Sequence, residues 1–150
     1  MIYQVPTDLV LDLWPAIEPF AKGACQHVPF IEPADLLRKL LAGHGRLFVS
    51  IESKKVEGFV IMEVLSFVTR TVANVAAFGG QRGFLSTAEN HWPQLEAWGR
   101  EQGADTIAIH GRPGWLRIAR RHEGSHTSTM SVVWRSLDGR QQHPGQNDPD

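Results

Sequence analysis

Cysteine is nearly absent: Cys25 is the only one in 150 residues, which excludes an intramolecular disulfide and points to a reducing, cytosol-like compartment. Tyrosine is equally scarce, with Tyr3 alone. An excess of either charge is lacking too. The formal net charge is −1 and the pI about 6.6, so no global field holds nucleic acid or an anionic membrane, and such binding would need a local patch. No apolar run is long enough to span a bilayer, no basic-then-apolar signal opens the chain, and no repeat or low-complexity linker divides it. At 42% hydrophobic, a chain of this length can bury most of its apolar surface as one domain, expected over residues 1–137. Residues 138–150, DGRQQHPGQNDPD, are polar and rich in Pro and Gly, and they read as a disordered tail.

What is present is a legible alternation of elements. Residues 2–5 read as a short strand. Pro6 with Thr7 or Asp8 then opens a helix whose apolar face is Leu9, Leu13, Ile17 and Phe20, with Pro15 predicting a kink or two short helices. Pro33 and Asp35 start a second helix, Leu36, Leu37, Leu40 and Leu41 form its stripe, and Gly43 ends it. Arg46–Glu52 alternates as a strand. Lys54-Lys55 turns the chain, and Val56–Phe67 continues as a long strand with Gly58 at a bulge. A turn at Thr69-Arg70 leads into Thr71–Phe78, completing an antiparallel meander. Trp92, Leu95, Trp98 and Gly99 share one face of the next helix, which is capped by the Ser86–Glu89 box or, given Pro93, by Asn90, and ends at Gly103. Asp105–His110 is a strand, Trp115–Arg121 a short helix and Thr127–Leu137 a last strand. The strand-helix-strand unit requires Thr71–Phe78 and Asp105–His110 to be parallel neighbours.

The richest stretch is the cluster Gly79-Gly80-Gln81-Arg82-Gly83 between a strand and a helix. Glycines there let backbone N–H groups approach an anion at a helix N-terminus, and Arg82 adds a cation. The competing reading is a tight turn alone, with Glu89 nearby to repel an anion. His110 closes a strand and Glu63 lies within one, so both are candidates for proton transfer, or else a hydrogen-bonded structural group and a member of a solvated face. His122 and His126 have metal-ligand spacing, but Gly124 breaks the helix between them and no third ligand is near, so no metal is expected. Arg112, Arg117, Arg120 and Arg121 form the only dense cationic cluster, suited to a phosphate, an acidic partner or nucleic acid, or else a solvated helix face. Trp115, after Pro113 and Gly114, reads as an architectural aromatic.

The order β-α-α-β-β-β-α-β-α-β, with a glycine turn after the fourth strand, resembles the GNAT acyltransferase fold over roughly residues 1–137. This is an α/β fold with a mixed, mostly antiparallel sheet flanked by helices. The Gly-Gly strand end together with Gly111, Arg112, Pro113, Gly114 and Trp115 resembles the small GNAT-like proteins of tailed bacteriophages. The resemblance implies acetyl-CoA as cofactor, its pyrophosphate held along Phe78, Gly79, Gly80, Gln81, Arg82 and Gly83. Gln81-Arg82-Gly83 looks like the opening of the family's Q/R-x-x-G-x-G/A motif, but Phe84 and Ser86 stand where it has glycine and glycine or alanine. It also implies a base, for which His110 and Glu63 are the candidates. The family's tyrosine acid is missing: the corresponding region reads GWLRIARRHEG. Two functions follow from the resemblance. One is an N-acyltransferase acting on acyl-CoA and an amine in the cytoplasm. The other is a non-catalytic virion or host-interacting phage protein that binds a protein partner. A homo-oligomer is compatible with either.

Overall fold

The computed structural model describes residues 1–111, Arg121, residues 124–128, Val133 and residues 135–137. Contacts divide the chain into two compact units, Met1–Gly111 and Arg112–Asp150, and the first carries all the described helices and strands. The expected helix at Trp115–Arg121, the last strand at Thr127–Leu137 and the tail fall mostly outside the described residues. Where residues of those ranges are described, they are neither helix nor strand.

The first unit is a five-stranded sheet in the order β1 (Ile2–Val5), β2 (Arg46–Glu52), β3 (Lys55–Ser66), β4 (Thr71–Gly80), β5 (Thr106–Ile109). The first three pairings are antiparallel and β4–β5 is parallel, as the crossover requires. On one face lie α1 (Val10–Cys25) and α2 (Pro33–Leu41), closing over Leu47, Val49, Phe59 and Ile61. On the other, Leu95 and Trp98 of α4 (Trp92–Glu101) pack with Phe48, Val60, Met62, Ala73 and Val75. This is the mixed α/β architecture expected from the order of elements.

Local details depart from the sequence reading in instructive ways. The buried face of α1 is Val10, Trp14, Ile17 and Ala21, while Leu9 is exposed. The helix does not break at Pro15. Pro15 and Pro19 both sit on its exposed side, where water can take the carbonyls they leave unbonded. The β2–β3 turn is Ser53-Lys54, one residue earlier than expected, and both adopt positive φ (48° and 63°), the two-residue geometry that matches strand twist. Glu57 is the extra residue of the bulge beside Gly58, since Ser50 pairs with Gly58 and Ile51 with Val56. The expected single helix after the glycines is divided: α3 (Phe84–Ala88), a 3-10 turn at Glu89–His91, then α4 with Pro93 in its first turn, where a missing N–H costs nothing. Neither Ser86 nor Asn90 is the cap; Gly83 precedes α3 and His91 precedes α4.

Candidate functional site

The parallel pairing of β4 and β5 runs from Val72↔Thr106 to Val75↔Ile109 and stops there. β4 continues for five more residues, Ala76–Gly80, paired with β3 on one side and with no described strand on the other. A bulge marks the same point: Ile61 pairs with Ala77 and Met62 with Val75, leaving Ala76 opposite no residue. Among the described residues the sheet is therefore open beside Ala76, at the edge where β5 stops at Ile109, one residue short of the expected strand end, and the exposed His110 follows it. No feature of the sequence announced the Ala76 bulge, because alanine is ordinary in such a strand.

The glycine cluster is differently placed from its expected turn. Gly79 and Gly80 belong to β4, paired with Phe59 and Gly58, and their lack of a side chain is a packing requirement. A Cβ on Gly79 would lie 2.9 Å from the Phe20 carbonyl oxygen of α1; one on Gly80 would meet the Phe84 ring at 2.5 Å and the Glu57 carbonyl oxygen at 2.7 Å. Gly58 faces the same ring at 2.6 Å, so the Gly58–Gly80 pair forms a floor on which the buried Phe84 rests. The Phe84 ring also stacks on His91, with centroids 6.3 Å apart. Phe84 is thus a core aromatic at the position where the resemblance would place a motif glycine.

The turn itself is Gln81–Gly83. Glu57 holds its first residue twice: its carbonyl accepts the Gln81 N–H at 2.8 Å and its carboxylate accepts from Gln81 Nε2 at 2.8 Å. Gly83 adopts φ +90° with open space around its Cα, and the exposed Arg82 precedes it. Among the described residues, the amides of Arg82 and Gly83 have no backbone acceptor. A hydrogen-bonding contact with Glu52 raises the Glu57 carboxyl above its ordinary range, helped by desolvation and the Glu52 charge.

Glu63 is engaged rather than free. One carboxylate oxygen pairs with Lys39 of α2, and the other accepts from Asn74 Nδ2 at 2.9 Å. Asn74, its register partner on β4, is 6% exposed, and the sequence signal for it is an asparagine inside the otherwise apolar TVANVAAF. Glu63 lies on β3 and His110 just past the end of β5, with β4 between the two strands, so the structure does not bring the two proton-transfer candidates together directly. Tyr3 is exposed on β1, the strand at the opposite edge of the sheet from β5. Cys25 is half-buried, and burial, then Asp35 and Glu32, push its thiol up, which makes it a weak nucleophile. Trp115, His122 and three of the four clustered arginines lie outside the described residues; Arg121 is exposed. No helix among the described residues is long and apolar enough to cross a membrane.

By sequence, neither a family model nor a curated protein matches the chain. Solved structures do. A protein of Thermus thermophilus is similar over 93% of this chain and 99% of its own, at 15% identity and a TM-score of 0.59. A ribosomal-protein-alanine N-acetyltransferase of Brucella melitensis biovar Abortus 2308 is similar over 91% and 99%, at 10% identity and a TM-score of 0.65. The aminoglycoside N-acetyltransferase AAC(6')-Iy, in complex with the bisubstrate analogue CoA-S-monomethyl-acetylneamine, is similar over 91% and 97%, at 17% identity and a TM-score of 0.62. With its mostly antiparallel sheet flanked by helices, the chain shares the GNAT fold of these two N-acetyltransferases.

Proposed function

We propose that the protein is an acyl-CoA-dependent N-acyltransferase with a degenerate pyrophosphate turn. The observation that carries this reading is the coincidence, along one strand, of the β4–β5 opening, the Ala76 bulge and the Gln81–Gly83 turn. A thioester lying against the open edge of β4 has a backbone amide beside the bulge to polarise its carbonyl, while the diphosphate reaches the amides of Arg82 and Gly83 and the Arg82 guanidinium. Gly79 and Gly80 contribute by letting the strand run close under α1 and Phe84, not by offering a nest of amides. Acetyl-CoA supplies an activated acyl carbon. The amine nitrogen attacks that carbon directly, the C–S bond breaks, His110 receives the surplus amine proton, and the departing thiolate is protonated from solvent in the absence of a nearby tyrosine. Transfer through an acyl-cysteine is disfavoured by the raised Cys25 thiol. Glu63 anchors Asn74 in this scheme. The cytoplasm, with its acyl-CoA pool, is the proposed compartment.

A second reading, a non-catalytic binding protein such as a virion-associated or host-interacting phage component, is favoured by one observation: Phe84 occupies the motif's glycine position as a buried ring. Calorimetry with acetyl-CoA separates the two. The acyltransferase reading expects binding, and a ligand at a hundred times its dissociation constant stabilises the fold by about 2.7 kcal/mol. Gly83→Val should abolish that binding, whereas Gly43→Val, which imposes the same positive-φ strain at a remote and equally open position, should not. No heat and no thermal shift at millimolar acetyl-CoA would leave the binding-protein reading in its place.

A further inference from the structure

The outer side of α1 breaks the rule for a surface helix. A helix with one side on the core carries polar residues on the other, and one that is apolar all round is covered all round. The exposed residues of α1 are Leu11, Asp12, Pro15, Ala16, Pro19 and Lys22, so four of the six have no polar side-chain atom. Leu11 is 58% exposed. α4, by contrast, turns Gln94, Arg100 and Glu101 to solvent. At 16 residues α1 is too short to span a bilayer, and one charge of each sign gives its outer side no attraction for an anionic membrane. This leaves a protein surface as the cover.

The order of these residues says which surface. About Ile17 they are nearly symmetric: Asp12 stands five residues before it and Lys22 five after, Pro15 two before and Pro19 two after. Leu11, Pro15 and Pro19 are spaced by four, a single ridge along the exposed side. A second α1 laid antiparallel on this ridge brings Pro15 against Pro19 of the second copy and Pro19 against its Pro15, with Asp12 and Lys22 opposed at both ends, each about 7.5 Å from the midpoint. A parallel copy would set Asp12 on Asp12. Neither charge is paired within the chain among the described residues. Because Pro15 has no N–H, the Leu11 carbonyl lacks its helical donor and adds an acceptor beside Asp12 for the incoming Lys22 ammonium, whose stem covers Leu11. We infer that two copies of the protein associate through the outer sides of α1, antiparallel about Ile17, as a weak two-fold dimer. The helix is about 24 Å long, so the strip it offers is at the small end for a protein interface, and dilute solutions hold the single chain. The end charges give orientation more than strength. The ridge lies on the side of α1 away from the sheet, and its use does not depend on acyl transfer.

The test is sedimentation of the full chain at low salt, from about 5 μM to about 500 μM, the range in which a weak dimer forms. The wild type should pass from one chain to two. Asp12→Lys and Lys22→Glu each set like charges against one another at both ends, so each variant alone should dissociate about tenfold more readily while keeping the parent's urea midpoint. Mixed in equal amounts, the two should recover the wild-type dimer, because a mixed pair again opposes unlike charges at both ends. If a reversal near a helix end lowers the urea midpoint, Pro15→Glu, which the helix accepts more readily than proline, sets a charge near the centre of each copy and should dissociate the dimer likewise. A wild type that stays a single chain at the highest concentration would overturn the inference and leave the outer side of α1 to another protein or to water. So would a dimer that none of these variants weakens, or a mixture of the two reversals that stays as dissociated as either alone.

Discussion

Phe84 rests on two glycines from different strands, and this contact sets how much each of the three residues can vary. Gly58→Ala would drive a methyl group to 2.6 Å from the ring, so it should destabilise by about 1–3 kcal/mol, as overpacking does, read as a lower urea midpoint. Phe84→Leu should recover part of that loss in the double variant because the two changes share one space. A neutral Gly58→Ala would mean that the ring moves aside freely. The neighbouring His91 gives the same locality a pH dependence. Burial, and then the charge of the amino terminus, hold its folded pKa below the ordinary 6.5. The unfolded state therefore binds the extra proton first: stability is complete above about pH 6.5 and is lost as the pH falls through that value toward the lowered folded pKa. Glu57, whose carboxyl is raised, acts in the opposite sense, so the two are separated by comparison with His91→Phe. That variant should keep the stack on Phe84 and show a flatter fall in urea midpoint between pH 7.5 and 5. At this scale the sequence disclosed that glycines mattered at 79 and 80, but not why. A glycine needed for positive φ and one needed for a ring look identical in a string of letters.

α1 shows how an element can absorb residues that argue against it. Two prolines four positions apart share its exposed side, while Val10, Trp14, Ile17 and Ala21 bury the other against β3 and β4, and that burial outweighs the lost hydrogen bonds. Pro19→Ala restores an interior N–H at an exposed position, so it should stabilise by about 1 kcal/mol, the helix-propensity gain being partly cancelled by the freer unfolded chain. A lower thermal midpoint would show that the ring itself packs. α2 starts at Pro33 as its sequence indicates and buries Leu36 and Leu40, while Leu41 of the expected stripe is exposed; its Glu32–Asp35 capping box supplies the local start signal. The run after Gly83 leaves two helix starts open in the sequence, the Ser86–Glu89 box and Asn90, because its apolar face begins only at Trp92. Its division at Glu89–His91 follows from Phe84 and Leu95 having to reach separate parts of the sheet, a demand that periodicity does not contain.

The whole first unit is organised around a sheet that is continuous from β1 to β4 and opens beyond Val75, with β3 and α1 supporting β4 where β5 no longer does. At this scale the acyltransferase reading expects acetyl-CoA to raise the thermal midpoint, and the composition of residues 138–150 expects truncation after Leu137 to leave it unchanged in a parallel melt. A large drop on truncation would show that the polar tail packs on the domain or on another copy. The sequence by itself determined the order of the strands through β5, the antiparallel meander and the parallel crossover from β4 to β5, because hydrophobic period and turn chemistry are local properties. Tertiary structure alone decided that Gly79 and Gly80 lie within β4, that Ala76 bulges, that Glu63 is bound to Lys39 and Asn74, and that Asn74 buries an acceptor with no partner among the described residues. Each of these depends on which side chains from distant parts of the chain compete for one place, and that competition exists only after the sheet has formed.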